Sequence, residues 1–443
     1  MINSTEDIKN CNSTFIPIVI IAGLFFIFGF VTWINGALIP FMKTINELTD
    51  AQSYLVASAS YISFVVMALP SSFIISKVGY RKGMSLGLFT MAIGALIFIP
   101  AAEARTYWIF LVGIFVQGAG MTLLQTASNP YITILGPIES AAKRIAIMGI
   151  ANKIAGALGS TIFAALLLSG IADIKDRLST VSTEEKSELL NTMADSVATP
   201  YLIMASALFI LGILIRKAPL PHVEASKNEE TDNSNAQKEN IFQFPHLWLG
   251  VATLFVYVGA EVIAGDTIIA YGISLGIPLA ESQFFTTYTL MAMVITYALG
   301  IILIPKFISQ ALALRISAIL GIIFTACIIS TSGYTSVLFV AALGIANALV
   351  WPAVWPLTLK GLGKFTKTAS ALLIMAIAGG AIIPPLYGQF VDNKKETLIK
   401  QGIEASNALM EASTSSYWIL FPCYILILYY AVSGHKLGLK KNN

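Results

Sequence analysis

Eleven stretches of nineteen or more residues in this 443-residue chain contain no Asp, Glu, Lys or Arg. They run 10–42, 51–76, 83–102, 106–138, 154–172, 196–215, 240–260, 282–305, 316–359, 368–391 and 412–435. A helix rises 1.5 Å per residue, so about 20 apolar residues cross the roughly 30 Å of bilayer hydrocarbon. The stretch 316–359 is long enough for two crossings, and the turn-like Ser330-Thr331-Ser332-Gly333 divides it, which makes twelve predicted spans. The fifth is expected to begin near Ile145 and to carry Lys153 inside it. Charged residues make up 12% of the chain, against about 25% in soluble proteins. That excludes a soluble enzyme, a disordered scaffold and a nucleic-acid binder. A net charge of +3 gives no field strong enough to draw a polyanion. Cys11, Cys327 and Cys423 are widely separated and form no metal spacing or disulfide framework.

Lys and Arg set the orientation. With a cytoplasmic N-terminus, eighteen of them fall in the tails and on one set of loops and eight on the other. Both termini are therefore expected in the cytoplasm, and the first span is read as a retained helix rather than a signal peptide. One long polar stretch, 217–245, has the composition of a disordered linker. It separates an N-terminal six-helix bundle, 1–216, from a C-terminal one, 246–443. Outer loops near 171–197 and 392–414 are expected to carry short amphipathic helices at equivalent places in the two halves.

The halves echo each other. IMGIA at 147–151 matches IMAIA at 374–378, and Pro130–Gly136 resembles Pro356–Gly361, at an offset near 227 residues. An all-α membrane protein with two pseudo-symmetric six-helix halves and a site between them is the layout of the major facilitator fold. There is no P-loop motif, so nothing points to an ATP-driven pump. One chain supplies both halves of a transport unit, and a monomer in the lipid bilayer is expected.

Polar residues inside such spans need a reason, since a charge at mid-membrane costs at least about 2.5 kcal/mol. Lys153 lies about 12 Å into the fifth span, beside Asn152. It either reaches back to the interface or acts as a cation in a central cavity. Glu261, in the seventh span, is a candidate proton carrier or an oxygen ligand for Na⁺. The alternative is a structural pair with Lys153 or a helix N-terminus. Asp266 reads as a solvated end residue. Gln125 and Asn129 are one turn apart on the fourth span; Asn347, Trp351 and Trp355 share a face of the tenth, its symmetry equivalent. Amides carry donors and acceptors together and suit a polyol, and an indole ring can cover the apolar face of a sugar. The structural alternatives are interhelical hydrogen bonds for the amides and interface anchoring for the tryptophans. Glycines and prolines in the fifth and eleventh spans, among them Gly149, Gly379 and Pro384-Pro385, permit close packing or bending.

Several stretches carry a family likeness: NGALIPFMK (35–43), GYRKG (79–83), LLQTASNPYITILGPIESAAKR (123–144), FVYVGAEV (255–262), WPAVWPLTLKGLGKFTKTAS (351–370) and AIAGGAIIPPLYG (376–388). Together they resemble the fucose permease family of the major facilitator superfamily, which also holds glucose/galactose and N-acetylglucosamine carriers. The T-x-x-NP-x-x-x-x-LGP pattern at 126–137 is its most specific part. The resemblance implies a cation–sugar symporter of a bacterial inner membrane whose first, fourth, fifth, seventh and tenth spans line the sugar site. Asn35 matches a family asparagine, and Asn152 falls where the family has a polar cavity residue. Two positions depart from the proton-coupled members: Gly36 replaces an aspartate and Gln125 a glutamate. Neither can carry a proton. Lys153 and Glu261 then belong to a different arrangement, with Na⁺ an alternative to H⁺.

The expectation is a secondary transporter, not an enzyme, that takes up a neutral hexose with H⁺ or Na⁺ and uses no cofactor. Asn35, Gln125, Asn129, Asn152, Lys153 and Asn347 would bind the sugar, with Trp351 or Trp355 stacked on it. Glu261 and Lys153 would couple the cation; no metal site is assigned, with Glu261 the candidate ligand if Na⁺ is the coupling ion. The alternatives are an exporter of amphipathic compounds with the same fold and a transporter-like sugar sensor.

Overall fold

The computed structural model describes residues 15–32, 50–163, 185, 188–192, 198–220, 240–282 and 284–439. Among these, ten helical stretches are long and apolar enough to cross a membrane. One of them, Ala59–Glu103, has 45 residues, about twice what one crossing needs. It lies in α2 (Asp50–Glu103), whose helical path breaks at Gly79 with φ 80°. That is a left-handed conformation open to glycine and costly to other residues. The break sits in GYRKG, where the charges Lys77, Arg81 and Lys82 predict a loop. Another helix, α4 (Ala141–Phe163), occupies the place of the fifth predicted span and holds Lys153. With α2 counted as two crossings and α4 added, the described residues account for the twelve predicted spans.

Contacts divide the chain into two compact units, residues 1–131 with 151–222 and residues 132–150 with 223–443. The segment 132–150, assigned from the sequence to the N-terminal bundle, thus groups with the second unit.

The first unit holds α1 (Phe15–Thr32), α2, most of α3 (Tyr107–Ile134), the later part of α4 and α5 (Ala198–Lys217). Small residues let its helices touch. A Cβ on Gly87 would lie 2.8 Å from the Gly120 carbonyl oxygen, and one on Gly94 2.5 Å from the Gln117 nitrogen. Close approach of this kind replaces the hydrophobic drive that lipid does not supply. Phe98 of α2 stacks on Tyr201 of α5 at 4.3 Å.

The second unit contains α6 (Pro245–Asp266), α7 (Ile268–Ser274), α8 (Phe285–Leu303), α9 (Gln310–Ser330), α10 (Gly333–Ala348) and α11 (Val350–Leu359). The helices α9 and α10 part at the predicted turn, where Gly333 has φ 61°. The tenth span is kinked at Leu349, between α10 and α11. The eleventh is α12 (Thr366–Met375) and α13 (Gly379–Lys400), joined by a tight turn at Ala376–Ala378. A helix α14 (Ala405–Ser416) and then α15 (Leu420–Val432) complete the unit. Around 392–414 the expected amphipathic helices are the end of α13 and α14. They close on Leu398, Ala408 and Ala412 and on a Lys394–Glu411 ion pair of 3.4 Å. The matching outer region near 171–197 is largely outside the described residues.

Equivalent helix pairs in the two units meet through a glycine. In the first, Gly29 of α1 rides on the backbone of Asn152 in α4; in the second, Gly379 of α13 rides on the Phe255 carbonyl of α6.

Arg144 corrects the sequence reading, which counted it as a loop cation. It is 6% exposed and lies in the first turn of α4. Its Nε donates to the Ile132 carbonyl (2.9 Å), Nη2 to Thr133 (2.7 Å), and Nη1 to Pro137 (3.0 Å) and to Ser140 Oγ (2.6 Å). The last carbonyls of a helix have no intrahelical donor and carry partial negative charge. Here the guanidinium caps α3. Gln310 of α9 adds Nε2 bonds of 2.8 Å to the carbonyls of Ile138 and Glu139. Arg144→Gln is expected to lower the midpoint of thermal unfolding in detergent, at a cost of about 3 kcal/mol, roughly that of two charge-assisted hydrogen bonds. Arg144→Lys, a point charge without the planar fork, should recover only part of it.

Candidate functional site

In the first unit, Gln125 and Asn129 lie buried on α3. Asn129 Nδ2 donates to the Gln125 carbonyl at 3.1 Å. Gln125 Nε2 has no hydrogen-bond partner, and its side chain lines a narrow cleft with Leu124, Ser128, Leu24, Phe25 and Phe28. Asn152 on α4 donates to the Phe25 carbonyl on α1 at 3.4 Å. It therefore ties α4 to α1, one of the two helices that line this cleft. Lys153 is 9% exposed, which sets its side chain among protein groups rather than along lipid. Asn35 lies outside the described residues.

Sequence reasoning missed Gln117. It is fully buried, and neither end of its amide has a partner. The signal was available, because Gln117 stands two turns before Gln125 on the same helix.

In the second unit, Glu261 lies about 24 Å along α6 from its first residue, Pro245. Tyr257 stands one turn earlier on the same helix, within electrostatic reach of it. The Glu261 charge also acts on Tyr297 of α8 and Tyr424 of α15. All three tyrosines are buried. Gly149 seats this group from the 132–150 segment: its Cβ would stand 2.6 Å from the Tyr297 ring. Asp266 ends α6 and is exposed, as expected of a solvated end residue.

Asn347, near the end of α10, is wholly buried. Its Oδ1 accepts from the Tyr424 hydroxyl at 2.9 Å, while Nδ2 has no partner. Trp351 is half-buried, 6.4 Å from Tyr257 and 5.6 Å from Trp355 between ring centroids. Trp355 is fully buried with Nε1 unmet, so it is no interface anchor. The structure thus brings Asn347, Trp351 and Trp355 into one neighbourhood with the tyrosines around Glu261. Of these tyrosines, only Tyr257 left a trace in the sequence, one turn before Glu261 in FVYVGAEV. Tyr297 and Tyr424 come from distant helices and gave no signal.

A buried N–H without an acceptor costs about 1–3 kcal/mol. Each unit carries such a donor on equivalent spans, Gln125 in the fourth and Asn347 in the tenth. Within the second unit, the unfilled Asn347 donor, the two indole rings and the Glu261 carboxylate suit a neutral ligand with several oxygens. Among the described residues no group of three or more His, Cys, Asp or Glu could hold a metal ion.

The twelve-span architecture with two compact units is that of a secondary carrier, and the chain belongs to the Major Facilitator Superfamily, whose sequence model matches residues 21–385. It is 33% identical over 377 residues to the glucose/galactose transporter of Brucella abortus, covering 83% of this chain and 86% of that one. It is 29% identical to the L-fucose-proton symporter of Escherichia coli, covering 86% and 88%. Among solved structures, the transporter FucP in its outward conformation matches with a TM-score of 0.79 and 26% identity, over 95% and 98% of the two chains. The chain is a membrane-spanning transporter and not an enzyme.

Gly149→Val should displace Tyr297 and cost about 1–3 kcal/mol through overpacking. Substrate exchange is expected to fall well below wild type at equal membrane abundance, whereas Gly149→Ala should fall less. Quantitative blotting against exchange rate checks both.

Proposed function

We propose that this chain takes up a neutral hexose, of glucose or galactose type or N-acetylglucosamine, by symport with a proton. It works as a monomer in a bacterial inner membrane, with both termini in the cytoplasm. One observation carries the reading: buried amide donors without acceptors stand on the equivalent fourth and tenth spans, at Gln125 Nε2 and Asn347 Nδ2. A sugar hydroxyl supplies the missing acceptor. The named relatives, a glucose/galactose transporter and a fucose-proton symporter, support the same substrate class.

Gln125, Asn129, Asn152 and Asn347, with Asn35, hydrogen-bond the sugar, and Trp351 or Trp355 covers its apolar face. Glu261 carries the coupling proton. Protonation of Glu261 removes the charge that the phenols of Tyr257, Tyr297 and Tyr424 face. Lys153 balances charge when the site is empty. A proton that binds one conformation better than another shifts their populations, and the sugar must do the same for the two fluxes to be coupled.

Na⁺ is the second reading. Gln125 and Gly36 stand where the proton-coupled resemblance has acids, and Glu261 would then ligate the ion. A hard cation calls for several oxygens, which one carboxylate with phenols supplies less readily than it accepts a proton.

In proteoliposomes, Glu261→Gln should keep counterflow of labelled hexose and lose accumulation driven by a proton gradient. Full accumulation by this variant would remove Glu261 from coupling. Accumulation that follows a sodium gradient at equal pH would assign the coupling to Na⁺. Efflux of amphipathic dyes without hexose uptake would favour an exporter, and hexose binding without flux a sensor.

A further inference from the structure

Residues 282–391 and 412–443 hold eight Lys or Arg and no Asp or Glu. The described ones, Lys306, Arg315, Lys360, Lys364, Lys367 and Lys436, lie at the end of the second unit where α6 begins and α15 finishes. Glu139 is the one carboxylate described there, and its charge acts on Arg144. Lys and Arg orient a membrane protein whether or not acids accompany them. Insertion therefore accounts for the cations and leaves the missing acids unexplained.

Three of these cations converge. Arg315 lies in the second turn of α9, Lys360 follows α11, and Lys436 belongs to the turn Gly434–Lys436 after α15. The fold ties these elements together. The Lys360 carbonyl lies 3.1 Å from His246 Nε2 at the start of α6, and Thr358 Oγ1 lies 2.7 Å from the Tyr430 hydroxyl. His435 Nδ1 meets the Tyr430 carbonyl at 2.9 Å. Burial first, and then the charges of Lys436, Lys360 and Arg315, hold the His435 imidazole below its ordinary range, against the bond to Tyr430. Lys360 and Lys436 are exposed; Arg315 is half-buried, and its Nε has no hydrogen-bond partner. Among the described residues none of the three makes an ion pair.

The surroundings select the anion. Leu312, Ile316, Ile319 and Ile323 are exposed and stand three or four residues apart along α9. They form one stripe, which on a spanning helix faces lipid. Arg315 comes three residues after Leu312 and four before Ile319, at the edge of that stripe. It lies about 8 Å along α9 from Gln310, at the depth of lipid headgroups.

We propose that Arg315, Lys360 and Lys436 form a binding site for the phosphate headgroup of an anionic phospholipid, whose acyl chain lies along the Leu312–Ile323 stripe of α9. The guanidinium fork pairs with phosphate oxygens, and the two lysines act as point charges beside it. The orientation proposed above makes the leaflet the cytoplasmic one. The binding itself depends neither on that orientation nor on the hexose.

The test is native mass spectrometry of the full chain in detergent, with phosphatidylglycerol or phosphatidylcholine added at equal concentration. A cation near an anionic headgroup is worth about three- to fivefold in affinity, so wild type should retain one phosphatidylglycerol about 30- to 100-fold more tightly than phosphatidylcholine. Lys360→Gln with Lys436→Gln should leave a preference of about three- to fivefold, and adding Arg315→Gln should bring it below about twofold. Arg315→Lys keeps the charge without the fork and should fall between wild type and Arg315→Gln. Both lysines of the double variant are exposed, so it reports even where Arg315→Gln does not fold. Lys395→Gln with Lys400→Gln removes the same charge from the opposite end of the unit and should leave the preference at its wild-type value. Equal losses in the two double variants, or wild-type retention of both lipids alike, would overturn the site. Displacement of the lipid by millimolar inorganic phosphate would assign a soluble anion and overturn the lipid. A preference that emerges only after Glu224, Glu229 and Glu230 are changed to Gln would give this face to the 217–245 linker and overturn it as well. None of these readouts involves a hexose, so each leaves the proposed transport standing.

Discussion

Lipid hydrocarbon offers no hydrogen bonds, so every polar group carried into it must find a protein partner or a ligand. Most of this structure obeys that constraint visibly. Threonines along α3 return their hydroxyls to carbonyls one turn back, as Thr122 does to Gly118 at 2.8 Å and Thr126 to Thr122 at 2.7 Å. Arg144 gathers the carbonyls that the end of α3 leaves open. Tyr271 is met by Ser336 at 2.6 Å and Thr414 at 3.1 Å. Against that background, the unmet amides of Gln117, Gln125 and Asn347 and the indole of Trp355 stand out. They are among the buried polar groups whose partner the protein does not itself supply.

The two units solve one packing problem with different residues. Each brings its first and fifth helices together through a glycine, but Gly29 lies on the first helix of its unit and Gly379 on the fifth of the other. The chemistry diverges further. The first unit offers amides and a buried lysine. The second sets phenols near its Glu261 and indoles beside those phenols. A repeat that keeps helix contacts while changing polar groups lets one half specialise in hydrogen bonding and the other in aromatic cover and charge.

Much of the fold was legible because the bilayer converts composition into geometry. Charge-free runs marked the spans, and the turn at 330–333 split the longest of them where α9 and α10 part. The kink at Leu349 and the tight turn at Ala376–Ala378 were not legible, because they depend on what packs alongside rather than on local residue preference. Arg144 was misread for the same reason. A charge near a predicted span end looks solvated until the fold curls it back onto the preceding helix.

The candidate site divides in the same way. Gln125, Asn129, Asn347, Trp351 and Trp355 could be grouped from helical spacing, since residues one turn apart share a face whatever the rest of the chain does. Residue order along one helix says nothing of what faces it. That Tyr424 from α15 meets Asn347, that Tyr297 from α8 feels the charge of Glu261, and that Gly149 leaves room for the Tyr297 ring are matters of helices far apart in the chain. The sequence by itself determined that the chain spans a membrane repeatedly, in two related halves with polar residues inside, because charge and length decide solubility in lipid. Only the tertiary structure decided which of those polar groups are satisfied and which are left waiting, because that depends on distances between helices that no local pattern encodes.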